Sequence, residues 1–316
     1  MPRYRGQAAL PLTSILEERA TVTPDDRVTL LNLAYRMLGS THDAEDVVQD
    51  AYARWYALSD EAQRAIRSQI AWLVRVTSRI CMDQLTSARA RRERYVGDWL
   101  PEPLPGDARW SSTAKTQQDD PAEQVSLDDS VSMGVLVMLE SVTPAERVAF
   151  VLHDVFNLPH PEIAGIVGRT PEACRQLATS ARRHLQRDRR LAVNAHQHRS
   201  VVAAFKDACE HGDFDSLIRL LDPQVSVRTD GGGKVRAALR PIAGSEKAAR
   251  YFLGLRAKEF AQEITEESVN GRPGLVTHAN GGINGVMAIA VHNGRVTDIW
   301  LVVNPDKLQV WQGFNP

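Results

Sequence analysis

Two stretches of this chain concentrate arginine, the side chain best suited to holding phosphate. Residues 66–96 carry seven arginines against two acids, and residues 169–190 carry seven arginines against two acids. A guanidinium is always charged and presents a planar fork of N–H donors, so such clusters neutralise phosphates and read guanine edges. Residues 98–129 reverse the sign, with eight acids against two basic residues. The pattern indicates two anion-binding surfaces separated by an acidic spacer.

The second basic block has the pattern of two helices joined by a tight turn. Gly168 ends the first helix, and Thr170 followed by Pro171 supplies the cap and first position of the next. This pattern is typical of helix-turn-helix DNA readers, although an ordinary helical hairpin with a basic surface is the alternative. The polar residues expected to face DNA are Arg169, Thr170, Glu172, Arg175, Gln176, Thr179, Arg182 and Arg183.

The first basic block lies in a predicted helix whose arginines are concentrated near its C-terminal end. Apolar residues recur at helical spacing over residues 68–88 and predict one buried face. Arginines at such a helix end neutralise phosphates and stack on unpaired bases, unless they merely satisfy the helix dipole. The residues expected to meet DNA here are Arg79, Asp83, Arg89, Arg91 and Arg92.

A helix predicted over residues 43–56 has one apolar face and one acidic face. The apolar residues recur in steps of three and four. Acids that crowd the opposite surface favour docking to a basic partner, and the alternative is a solvated acidic face. The residues of this acidic stripe are Glu45, Asp46, Gln49 and Asp50.

These three elements, in this order, resemble one family of transcription proteins. Residues 34–39 (AYRMLG) followed by residues 43–51 (DAEDVVQDA) resemble region 2.1–2.2 of extracytoplasmic-function sigma factors. The stretch 83–92 resembles regions 2.3–2.4, and the helix-turn-helix resembles region 4. The resemblance implies that the acidic stripe binds the β′ clamp of core RNA polymerase. It also implies that the two basic blocks read the −10 and −35 elements of promoter DNA, and that region 4 meets the polymerase β flap.

The sequence pattern changes after about residue 198, and the new pattern predicts a compact α+β domain. Two helices precede a glycine run, a third helix spans 245–257, and antiparallel strands flank Asn293-Gly294, a strong hairpin signal. The segments 99–103 (WLPEP), 230–235 (DGGGKV) and 304–308 (NPDKL) resemble motifs of the sigma-factor subgroup with a fused SnoaL-like domain. Regulatory contacts are therefore expected from Trp99, Leu100, Pro101, Asp230, Gly231, Gly232, Gly233, Asn304, Pro305, Asp306 and Lys307.

The polar residues of the α+β domain form no recognisable acid–base set. The candidates for such chemistry are His278, His292, Asp230 and Asp298. The glycine run lacks the spacing of a phosphate loop. We expect no enzymatic activity, no cofactor and no metal. Two alternatives stay open: a DNA-binding regulator with a ligand-sensing domain, which would bind DNA without polymerase, and a SnoaL-type cyclase or isomerase.

The predicted fold class is multidomain: two all-α sigma domains, a region 2 helical bundle and a region 4 helix-turn-helix, followed by an α+β SnoaL-like cone domain. The predicted boundaries are 25–96 for region 2, 97–130 for an acidic flexible linker, 131–192 for region 4 and 198–308 for the cone domain. Residues 1–24 receive no role. The chain of 316 residues, 43% hydrophobic and 24% charged, is long enough for this division.

Composition also bears on the cellular compartment in which we expect the protein to act. No apolar run reaches the roughly 18 residues that a membrane span requires, and the N-terminus lacks a secretion-signal pattern. The three cysteines form neither a metal-type spacing nor a disulfide framework. We expect a cytoplasmic sigma factor whose partners are core RNA polymerase and promoter DNA and whose own C-terminal domain regulates it. A small ligand in that domain is left open.

Overall fold

The computed structural model describes residues 24–92, 95–106, 131–187, 195–258, 261 and 263–312, with the backbone alone for residues 24, 88–92 and 186–187. Most of the predicted linker, at 107–130, lies outside the described residues. Residues 1–23 do so as well. The predicted domain boundaries stay predictions.

The first helical domain is a bundle whose apolar faces turn inward. Ser40 begins the second helix, because its hydroxyl accepts a hydrogen bond from the backbone N–H of Asp43 at 3.2 Å. The third helix was not predicted, since it buries none of its residues and leaves no apolar period to detect. The helices are α1 (Pro24–Leu38), α2 (Thr41–Tyr56), α3 (Asp60–Ala65) and α4 (Gln69–Arg92).

The second helical domain contains the predicted helix-turn-helix. Thr143 and Glu146 form a capping box at the start of its second helix. Gly168 ends the first helix of the motif with a φ of +70°, a conformation that glycine adopts without strain. Thr170 caps the next helix by accepting the N–H of Ala173 at 3.2 Å. The elements are α5 (Met133–Leu139), α6 (Pro144–Phe150), a π-helical turn (Val151–Val155), α7 (His160–Val167) and α8 (Pro171–Arg187).

The two helical domains share one hydrophobic core. Buried residues from the helices of both domains, with the exception of α3, form a single cluster, which includes Leu33 and Val48 from the first domain and Phe150 and Ile163 from the second. Helix α4 packs against both α6 and α7. The sequence did not indicate whether these domains lie together, and in this structure they do.

The C-terminal domain packs helices against one face of a six-stranded sheet, as expected of a SnoaL-like α+β domain. The strand order is β2-β1-β6-β5-β4-β3. Its elements are α9 (Ala195–His211), α10 (Phe214–Leu220), β1 (Leu221–Asp230), β2 (Ile242–Ala243), α11 (Ser245–Ala257), β3 (Glu263–Val269), β4 (Arg272–Ala279), β5 (Gly282–His292), β6 (Arg295–Val302), a 3-10 turn (Pro305–Lys307) and α12 (Gln309–Gln312).

One strand pairing differs from the prediction of an antiparallel sheet. Strands β5 and β6 form the predicted hairpin, with Asn293 and Gly294 at positive φ between them. Strand β1, however, was not predicted, and it pairs with β6 in parallel. It follows α10 directly, so the helical spacing of apolar residues continues to Leu221. The sequence pattern therefore gives no signal that a strand begins at that residue.

Both faces of the sheet are covered. Alternate residues point to opposite sides of a strand. Leu275, Met287 and Leu301 therefore pack on the helices of the same domain. Their neighbours Val276 and Trp300 face the other way and pack with Leu100, Met133, Leu308 and Trp311. The sheet thus separates the interior of its own domain from an interface with the preceding parts of the chain.

The segment 97–106 is a packed strap, in contrast to the flexible spacer predicted there. Residues 100–105 are all buried, and Pro105 forms a β-bridge with Val269. Prolines normally predict a solvent-exposed linker, but here the extended backbone lies between α1 and the outer face of the sheet. Across the ranges that the structure describes, no helix has the length and apolar character that a membrane span needs.

Candidate nucleic-acid interface and the contacts that hold it

Helix α8 presents a polar, basic surface to solvent, as predicted. Arg175 is exposed and lies 3.7 Å from the carboxylate of Glu172, one turn away. This ion pair is solvent-accessible and therefore weak, so it leaves the Arg175 guanidinium accessible at the surface. Thr179 is half-buried and Thr170 caps the helix. The other predicted side chains of this surface that are exposed are Arg169, Gln176 and Arg183.

Arg182 does not fit the predicted outward set. Its Nε donates to Oδ1 of Asp154 at 2.9 Å, and its Nη2 bonds the same oxygen. The Asp154 side chain is only 4% exposed. Burial raises the pKa of Asp154, and the arginine counteracts that shift by favouring the charged form. Arg182 therefore joins α8 to the π-helical turn, and removing it would leave a buried carboxylate unpaired.

The basic face of α4 contacts the first helix of the helix-turn-helix. Arg79 donates from Nη2 to the backbone oxygen of Gly165 at 2.7 Å. Arg75 lies 3.5 Å from the carboxylate of Glu162. Asp83 is exposed, whereas the side chains of Arg89, Arg91 and Arg92 lie outside the described residues. One predicted −10 residue is therefore held by the other DNA-binding domain.

A buried arginine that was not predicted joins the two helical domains. Arg147 donates from Nε to the Leu139 oxygen at 2.8 Å and from Nη1 to the Met37 oxygen at 2.6 Å. Its Nη2 lies 2.6 Å from the Glu140 carboxylate. Burial lowers the pKa of Arg147 to about 9. Its sequence context did not single out this residue, because its partners at Met37 and Leu139 are backbone oxygens that leave no side-chain pattern.

The acidic stripe of α2 lies on the surface. Glu45 and Gln49 are exposed, and Asp46 faces His42 across 3.7 Å. Asp50 accepts two hydrogen bonds from Arg54, one turn further on, at 2.9 and 3.3 Å. The four predicted residues therefore share one accessible surface, although part of its negative charge is neutralised locally.

Asp230 is the centre of the contact between the C-terminal domain and the strap. Its carboxylate is fully buried and accepts the Tyr95 hydroxyl at 2.6 Å and the Leu100 N–H at 2.9 Å. It also accepts the Gly232 N–H at 3.0 Å and the Lys307 ammonium at 2.8 Å. A buried carboxylate needs such partners, because an unpaired charge in the interior is costly.

Lys307 and Asn304 complete this contact from the end of the sheet. The ammonium of Lys307 lies 4.0 Å from the centre of the Trp99 ring and bonds the Leu100 oxygen. Asn304 donates to the Tyr95 hydroxyl at 2.9 Å. A Cβ at Gly232 would lie 2.4 Å from the Asn304 amide, so only glycine allows this approach.

The remaining motif residues take lesser parts in this contact. Asp306 is exposed and pairs with Lys234 at 2.6 Å across the two motifs. The others are Pro101 and Gly231, which are buried, and Gly233 and Pro305, which are exposed.

A second contact, absent from the predictions, centres on Asn270 in the turn between β3 and β4. Its amide donates to the Tyr35 hydroxyl and to the Val131 oxygen, each at 3.0 Å. Its side-chain oxygen accepts the Leu104 N–H at 3.1 Å. Tyr35 in turn donates to the backbone oxygen of Glu102 at 2.6 Å. One buried asparagine thus touches α1, the strap and the start of the second helical domain.

The acid–base candidates of the C-terminal domain do not converge. Asp230 is occupied by the strap, while the His278 ring lies 3.0 Å from the Thr265 hydroxyl on a neighbouring strand. Among the described residues, no group of three or more His, Cys, Asp or Glu side chains is arranged to hold a metal ion.

A helix with an acidic face, a basic helix and a helix-turn-helix, packed against an α+β domain, define a multidomain DNA-binding transcription factor. Residues 27–91 match the model of sigma-70 region 2, and residues 132–185 match that of sigma-70 region 4. The probable ECF RNA polymerase sigma factor SigI of Mycobacterium tuberculosis is 38% identical over 285 residues, which cover 89% of this chain and 92% of that relative. The chain belongs to the family of ECF RNA polymerase sigma factors, which are not enzymes.

A second relative extends the likeness to the structure. The ECF RNA polymerase sigma factor SigJ of the same species is 36% identical over 294 residues, which cover 89% of this chain and 90% of the relative. Its crystal structure superposes with a TM-score of 0.69 at 32% identity, covering 90% of this chain and 96% of that one. The similarity therefore includes the C-terminal domain as well as the two helical domains.

Proposed function

We propose that this protein docks on core RNA polymerase through the acidic stripe and places region 2 at the −10 element and region 4 at the −35 element. The ordered pair of sigma-70 regions, with the stripe on the surface of the first, carries this proposal. In it, the stripe binds the β′ clamp and region 4 binds the β flap. The polymerase performs the bond chemistry.

Within region 4, base reading falls to the exposed residues of α8. Arginine and glutamine suit guanine and adenine edges, and the N-terminus of α8 can hold a phosphate. Arg182 leaves the set, because its guanidinium is engaged by Asp154. The proposed −35 set is Arg169, Thr170, Glu172, Arg175, Gln176, Thr179 and Arg183.

The packed arrangement supports a regulatory role for the C-terminal domain. The −10 and −35 elements lie about 25 base pairs apart, or about 85 Å at 3.4 Å per base pair. Two domains that share one core cannot reach both elements at once, so they separate on promoter DNA. Asp230 and Asn270 bond the strap, and Asn270 also bonds Val131 at the start of the second helical domain. Through these contacts the C-terminal domain holds the two helical domains in the closed arrangement.

In vitro transcription with core polymerase tests the proposal. The double substitution Asp46→Arg and Asp50→Arg should abolish core binding and promoter-specific transcripts. Glu61→Arg, at an exposed acid of α3, is the matched control and should leave both intact. A wild-type protein that binds a palindromic DNA by itself and never supports a defined transcript start with core enzyme would refute the sigma-factor proposal in favour of a repressor or activator.

A further inference from the structure

The C-terminal domain encloses a cavity of about 380 Å³ that the proposed function does not use. It lies between α9, α11 and the inner face of the sheet. Phe205 and Phe252 form its helical wall, while Ile264, Leu275, Met287 and Leu301 form the sheet wall. Its volume falls in the range of sites for small molecules, and its walls are mostly hydrophobic, as such sites usually are.

The interior of the cavity offers no charge to a ligand. Burial raises the pKa of the Cys209 thiol to about 12, so the sulfur is neutral at physiological pH. The Thr277 hydroxyl already donates to the Gly285 oxygen at 3.2 Å. A charged group that entered would lose its hydration without compensation.

The rim of the cavity does not favour anionic ligands. Two carboxylates, Glu210 and Glu263, stand there beside one guanidinium, that of Arg256. The Nε of Arg256 donates to the backbone oxygen of Glu210 at 2.9 Å, which fixes that cation against the helix end. Glu210 is also paired with Lys206 at 3.2 Å, so the charges of the rim balance and offer no excess cation to a fatty-acid-like ligand.

The strands that line the cavity with one face contact the strap with their opposite face. Leu275 lines the cavity, and its neighbour Val276 belongs to the outer cluster with Leu100. Leu301 likewise lines the cavity, between residues that face outward. An occupant that changes the curvature of the sheet therefore acts on the surface that contacts the strap.

We propose that the cavity binds one uncharged, largely apolar small molecule, and that its occupancy adjusts the grip of the C-terminal domain on the strap. The binding step stands by itself. Only its consequence for transcription rests on the proposed sigma-factor function.

Probe binding to the full-length protein tests the first step. The uncharged dye N-phenyl-1-naphthylamine should bind with a single saturable site, and dodecanol should displace it at least tenfold more tightly than laurate. Ala261→Trp, at the lining, should weaken dye binding at least tenfold. Ala257→Trp, at an exposed position of α11, is the matched control and should bind within twofold of wild type.

The thiol in the wall supplies a readout that needs no variant. N-ethylmaleimide should modify Cys209 slowly, and dodecanol should slow the reaction at least fivefold. Four results would each overturn the site. They are a lack of saturable dye binding, displacement by laurate as tight as by dodecanol, full dye binding by a folded Ala261→Trp protein, and modification of Cys209 that dodecanol does not slow.

Hydrogen exchange tests the second step. With dodecanol bound, amide exchange across residues 99–104 should change at least threefold. Unchanged exchange with confirmed dye displacement would refute the coupling but not the site. A protein that binds the dye yet directs no transcript would instead refute the proposed function.

Discussion

At the scale of single residues, the contact that closes this molecule depends on one buried carboxylate. Asp230 gathers donors from Tyr95, Leu100, Gly232 and Lys307. The sequence motif indicated that Asp230 makes regulatory contacts, but not with what. Resemblance to a motif identifies individual residues. Their contact partners come from distant parts of the chain and are seen only in the folded structure.

Asp230→Ala should lower the free energy of unfolding by about 3–5 kcal/mol, because it leaves the buried Lys307 ammonium without its carboxylate. Urea denaturation followed by tryptophan fluorescence measures this loss. Asp306→Ala, at the exposed pair with Lys234, is the control and should cost at most about 1 kcal/mol. Equal effects of the two substitutions would contradict the assignment of Asp230 as the centre.

Two arginines of α8 that look alike in sequence should behave differently. Arg175→Ala should weaken binding of holoenzyme to its −35 element by about 1–3 kcal/mol and relax its base preference. Arg182→Ala should instead destabilise region 4, because Asp154 is left buried and unpaired. Promoter binding and thermal unfolding, measured on both variants, separate the roles. A stable Arg182→Ala protein with altered base preference would return Arg182 to the DNA-reading set.

At the scale of elements, local signals predicted most of the secondary structure. Caps at Ser40, Thr143 and Thr170 and the hairpin at Asn293-Gly294 all have short-range physical causes. Strand β1 was not predicted, since its parallel pairing with β6 joins positions about seventy residues apart and leaves no local mark. The packing of the strap was missed for the same reason.

Helix α9 docks on the sheet through a histidine that should make the domain acid-sensitive. His198 is 2% exposed, and its Nε2 lies 2.8 Å from the Ile289 oxygen. Burial lowers its pKa, and nearby Arg272 lowers it further. A depressed folded-state pKa gives stability that is complete above the unfolded value of about 6.5 and is lost as the pH falls.

We therefore expect the stability of the wild-type protein to fall between pH 7 and pH 5 more steeply than that of His198→Asn. The asparagine retains a donor for Ile289 but does not titrate. Urea denaturation at each pH, reported as the difference between the two proteins, cancels the contribution of other titrating groups. Parallel curves would mean that the folded state does not lower the pKa of His198 and would contradict this prediction.

At the scale of the whole molecule, the domain order was predictable and the domain arrangement was not. Each helical domain has its own periodic apolar face, so its existence follows from the sequence. Whether those faces meet depends on contacts such as Arg147 to the Met37 oxygen, which join residues 110 positions apart. The sequence therefore predicted the two helical domains, while their packing against each other is seen only in the folded structure.

The closed arrangement should open on the promoter. Dyes at Glu61→Cys and His184→Cys, in a Cys209→Ser background, report the separation of the two helical domains, since Cys81 and Cys174 are buried. Energy transfer should be high in the free protein and fall when core polymerase and promoter DNA are added together. Transfer that stays unchanged in an active complex would mean that the domains need not part.

The single core shared by the helical domains has a consequence for the life of the protein before it meets polymerase. Any separation uncovers apolar side chains such as Phe150 and Ile163, and exposed apolar surface invites aggregation and proteolysis. An open molecule therefore avoids aggregation and proteolysis only when another surface covers those side chains immediately. Under the proposed function, the closed form keeps these side chains buried until core polymerase binds the protein and covers them.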